Sequence, residues 1–122
     1  TGAITGTDAT FTGTTTTYLD INAQTGTTYT FVLADAGKLI TSSNGSAQTI
    51  TVPPNSGGGG VAFPIGTQII VQNIGSANAT LAQGTGVTIN SKDSNKEIDG
   101  QFAAAALIQT ATNVWSLIGA LA

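Results

Sequence analysis

The chain has 122 residues, a mass of 12.1 kDa and a formal net charge of −3. Only 7% of its residues are charged, against about 25% in an ordinary soluble domain, and it contains no His, Cys or Met. These absences exclude Ser-His-Asp and Cys-His nucleophile systems, imidazole or thiolate metal sites and any disulfide framework.

Three Lys and no Arg cannot supply the phosphate contacts of a nucleic-acid binder. No apolar stretch approaches the roughly 20 residues of a membrane-spanning helix. The opening Thr1-Gly2-Ala3-Ile4 lacks the basic-then-apolar order of a secretory signal. An initiator methionine is generally removed before Thr, so the 122 residues are expected to be a whole protein. Neither nucleic acid, membrane nor cofactor is expected as a partner, and the length fits one domain with a thin core.

Residues 1–21 are dense in Thr and Gly. Threonine is stiff at its first side-chain torsion and prefers extended backbone, so this stretch reads as an extended arm or edge strand. Its large apolar anchors are Ile4, Phe11 and Tyr18.

Residues 22–122 read as the folded domain. Thr28–Leu33 alternates with period two, which places Tyr29, Phe31 and Leu33 on one face, and a turn follows at Asp35-Ala36-Gly37. Further strands are expected at Lys38–Thr41 and at Gln48–Val52, the latter stopped by Pro53-Pro54. Pro53–Pro64 is a long loop whose tip, Gly57–Gly60, reads as flexible; no Lys follows it in the manner of a phosphate-binding loop. Gln68–Asn73 is apolar on both faces, as a central strand is. Ala79–Ala82, Gly86–Ile89, Gln101–Gln109 and Asn113–Ile118 complete the series.

The run Phe102–Ile108 is alanine-rich and locally favours a helix. It spans about two turns and runs directly into a Trp-containing strand, so a hairpin strand is the better reading. Small side chains on both of its faces imply close contact with a second sheet or a second subunit. The spacing as a whole predicts an all-β fold: an antiparallel β-sandwich or jelly-roll-like barrel of about eight short strands with an extended N-terminal arm.

Candidate chemistry is sparse. The carboxylates are Asp8, Asp20, Asp35, Asp93, Glu97 and Asp99. Asp93, Asn95, Glu97 and Asp99 start like a calcium loop, but Ile98 stands where the loop needs Gly and Ala104 where it needs a bidentate Glu. A solvated hairpin loop is the better reading. With few aromatic platforms beside its acids the chain does not read as a glycosidase. Trp115 and Tyr29 are candidate sugar-stacking residues, although a Trp in an alternating strand belongs more often to a core or an interface. No enzymatic activity is expected. Asn44-Gly45-Ser46 and Asn78-Ala79-Thr80 mark turns.

The segments Ala34–Thr41, Ile50–Ser56, Phe63–Ile69, Gly84–Ser91 and Ala106–Gly119 resemble a domain recurrent in tailed-phage virion proteins, of the head-decoration, head-fibre and tail-fibre-tip type. The resemblance covers roughly residues 22–119, with Gly57–Gly60 as an insertion. It implies a β-rich homotrimer on the virion exterior, held to the major capsid protein as a decoration, or cement, protein. The alternative is a receptor-binding or adhesive tip of a tail or head fibre. Ile4, Phe11 and Tyr18 are then the expected capsid-contact residues. Phe102, Ala104, Ala106, Ile108 and Trp115 are the expected trimer or core packing residues.

Overall fold

Alternating burial turns most of the short apolar runs into strands. The structure, a computed structural model, describes residues 18–122; Ile4, Phe11 and the rest of the arm before Tyr18 lie outside the described residues. The nine strands are β1 (Ile21–Gln24), β2 (Thr28–Thr30), β3 (Leu39–Ser42), β4 (Gln48–Val52), β5 (Gln68–Asn73), β6 (Ala79–Gln83), β7 (Thr88–Ser91), β8 (Ala104–Ala111) and β9 (Val114–Gly119). Short 3₁₀ turns occupy Leu33–Asp35 and Lys92–Ser94. Among the described residues no strand contains a charged residue.

The all-β expectation holds, but the antiparallel arrangement does not. One sheet has six strands in the order β1-β3-β5-β8-β9-β7, and the other has three in the order β2-β4-β6. Five of the seven strand pairings are parallel; only β5–β8 and β8–β9 run antiparallel. The cause is a coiled path. The chain lays one strand in the large sheet, turns, lays the next in the small sheet, and crosses back to begin again beside the first. The turns read from the sequence are real, yet from β1 to β7 they join strands of different sheets, whereas the expected hairpin between the alanine-rich strand and the Trp115 strand joins neighbours β8 and β9. The same displacement of 31 residues separates Leu39 from Ile70 and Gln48 from Ala79, so the second and third coils stack in step.

Buried residues of both sheets share one core that includes Phe31, Ile40, Ile50, Ile69, Leu81, Leu107, Trp115 and Leu117. Phe63, from the long loop, meets Trp115 edge-on with centroids 5.5 Å apart. Trp115 is 1% exposed, so it is a core residue and offers no sugar-stacking surface. The long loop is tied down: Asn55 N–H donates to Asn113 Oδ1 at 2.7 Å, and Asn55 Nδ2 donates to the Phe63 carbonyl at 3.2 Å.

Several buried polar side chains sit where the coils turn, whereas Gln109 is buried within β8 with its Oε1 unpartnered. Ser42 donates to Gln48, and Asn73 Nδ2 donates to the carbonyls of Ala77 at 2.9 Å and Gly100 at 3.2 Å. Each one satisfies a group that the turn would otherwise strand without water. Two further expectations fail locally. Leu33 leaves the face of Tyr29 and Phe31 because the strand ends at Thr30 and the 3₁₀ turn swings Leu33 outward, 55% exposed. Phe102 precedes β8 instead of joining it, 66% exposed and with φ at +70°.

Candidate interaction surface

The first coil ends the parallel stack, and its inward positions are polar where those of later coils are apolar. Asn22 sits in register with Ile40 and Val71. Tyr29 sits in register with Ile50 and Leu81. Among the described residues no further coil covers this end, and half-wet polar groups suit such a position better than bare apolar ones.

These groups converge on Asp35, which the 3₁₀ turn carries inward until it is fully buried. Tyr29 Oη donates to Asp35 Oδ2 at 2.6 Å, Val32 N–H donates to the same oxygen at 2.9 Å, and Asn22 Nδ2 donates to Oδ1 at 2.9 Å. Asn22 Nδ2 also reaches Tyr29 Oη at 2.9 Å, and Gln24 Nε2 donates to Asn22 Oδ1 at 2.8 Å. Among the described residues the one ion pair is Lys92–Asp93, so Asp35 is held by uncharged donors. Burial, and then the hydrogen bond and negative charge of Asp35, push the Tyr29 hydroxyl up to about 12. Every Asp35 oxygen is engaged by a donor that also fixes the coil.

Around this polar plug stand large apolar side chains, with Asp20 exposed among them. Tyr18, Leu19, Ile21, Val32 and Leu33 are all exposed, Tyr18 most of all at 88%. Among the described residues the outer edges of β1 and β2 have no strand partner. Natural edge strands are usually blunted by Lys, Pro or a bulge, and β1 and β2 carry neither Lys nor Pro.

The other expected packing residues separate by face. Ala104, Ala106 and Ile108 point away from the core on β8, whereas Trp115 points into it. A cleft of about 420 Å³ lies at the far edge of the large sheet, lined by Lys92, Asp93, Asn95, Leu117, Ile118, Gly119 and Leu121. It opens where β7 ends at Ser91 opposite Leu117 and β9 continues with β8 as its one strand neighbour among the described residues. Asp93 and Ser94 stand at its mouth with φ of +56° and +60°. Comparison with protein-family models, with curated proteins and with solved structures finds no match for this chain.

Proposed function

We propose that this chain is a non-enzymatic reinforcing protein of a tailed-phage head, a homotrimer that binds the outer capsid surface across capsomer junctions as a cement protein. The observation that carries this reading is the first coil. Among the described residues it presents two unpaired edges on strands without charged residues, rimmed by Tyr18, Leu19, Ile21, Val32 and Leu33, with Asp20 exposed between Leu19 and Ile21. An edge of that kind pairs readily with extended chain from a neighbour, through backbone hydrogen bonds that need no large side chains. It also lies beside the Thr-rich stretch expected to form the capsid-contact arm. We read the two layers with their common core as a sandwich built from coils.

A ligand that binds only the assembled lattice stabilises it by mass action, and several attachment points per trimer multiply the effect. The test is to heat stripped capsids alone, with the wild-type protein, and with a Val32→Ser/Leu33→Ser variant. The wild type raises the rupture temperature and the variant restores much less. Equal rupture temperatures with and without the wild-type protein would overturn the proposal. The second reading, an adhesive fibre tip, draws support from the cleft at Lys92, Asp93 and Asn95, and predicts glycan binding that weakens in Asn95→Ala.

A further inference from the structure

Strand register assembles, on the outward face of the large sheet, a row that no single segment of sequence displays. Ile21 stands opposite Leu39, Leu39 opposite Ile70, Ile70 opposite Ala106, and Ala106 opposite Ile118. Five strands therefore contribute one apolar side chain each to a continuous stripe. Ile21 is 64% exposed and Ile118 56%, so the stripe is open at both ends. Phe102, two-thirds exposed in a left-handed conformation that a bulky residue rarely adopts, stands just beyond β8 at its rim.

The small sheet provides the internal comparison. Its outward positions are Thr28, Thr49 and Thr80 in one row, and Thr30, Thr51 and Ala82 in the next. The neighbouring outward row of the large sheet is Ala23, Thr41, Gln72 and Ala104, so branched aliphatics fill one row of that face and neither of these rows of the small sheet. The stripe is a property of that one row.

We infer that the outward face of the six-stranded sheet is where copies of this chain meet. Three observations select a second copy as the occupant. First, no charged residue lies in the six strands of this sheet, so apposing this face to itself leaves no strand charge buried and unpaired. Second, Ala106 sits between Ile70 and Ile118, a shallow socket flanked by two knobs, which a copy of the same row can fill. Third, the size is sufficient. Six strands about 4.8 Å apart, about 20 Å long, give a face of roughly 480 Å², so two such faces bury about 1,000 Å², the lower bound of a specific interface.

The threefold count rests on the proposed virion role; the face rests on register alone, and the two fail separately. The experiment is sedimentation of the full chain across a concentration series, beside Ile118→Lys, Ile70→Lys and Thr49→Lys. Ile118 is already half exposed, so its Lys variant folds, and far-UV circular dichroism checks all three. The wild type and Thr49→Lys sediment as assemblies, while Ile118→Lys and Ile70→Lys dissociate with a constant raised on the order of 100-fold or more. A wild type that stays monomeric at every concentration overturns the inference, whether or not the protein binds capsids. Assembly of both stripe variants as tight as that of the wild type overturns it equally.

Discussion

At the scale of single residues, the least expected finding is that Asp35 faces inward. Asp before Ala-Gly marks a turn in any sequence, and the turn is there. The local pattern does not say whether such a carboxylate points to water or into the fold. Here the 3₁₀ turn after β2 aims it at Asn22 and Tyr29, which reach it from two different strands. The consequence is a stability that depends on alkaline pH. Folding raises the Tyr29 hydroxyl from an ordinary 10.0 to about 12, so the unfolded chain loses this proton first. The contribution is complete below pH 10 and disappears as pH climbs to about 12. Urea unfolding of the wild type should therefore show a steep loss of stability across that interval. Tyr29→Phe should flatten it, at a cost of about 1 kcal/mol near neutral pH for the lost donor to Asp35.

At the scale of elements, the strands at Gln48–Val52 and Gln68–Asn73 have the bounds that alternation and the flanking turn residues predicted. The alanine-rich run became strand because it lies between β5 and β9, where two neighbours outweigh a helix preference confined to about two turns. What local pattern cannot carry is the partner of each strand. Ser43–Ala47 and Ile74–Asn78 each join the large sheet to the small one, in step with the 31-residue displacement between the second and third coils. Those two turns lie one on the other. A Cβ on Gly75 would fall 2.6 Å from the Asn44 carbonyl oxygen, a backbone atom with no room to retreat. Gly75→Ala should therefore destabilise the fold by more than about 2 kcal/mol in chemical denaturation, while Gly58→Ala, with open space around it, should stay within about 0.5 kcal/mol of the wild type.

At the scale of the molecule, the candidate surfaces show the same division between what is local and what is not. Ala104, Ala106 and Ile108 were legible as one small-sided strand. Ile21, Leu39, Ile70 and Ile118 join them only through pairings between segments far apart in the chain. The same nonlocality decides how the fold comes apart. A stack of coils with independent interiors would fray from its end coil, since each repeat would contact only its neighbours. Here Phe31, directly after β2, belongs to the same buried cluster as Trp115 near the other end of the chain, and β8 and β9 close the large sheet on the third coil. One core of this size unfolds as a unit. Trp115, the single tryptophan, reports on the C-terminal strands, and Tyr29 reports on the first coil once Tyr18→Phe removes the other tyrosine. Trp115 fluorescence and Tyr29 absorbance, followed through one urea titration of that variant, should give the same midpoint. A Tyr29 transition well below that of Trp115 would mean that the first coil opens alone, and that the polar plug on Asp35 closes the stack without coupling it to the core.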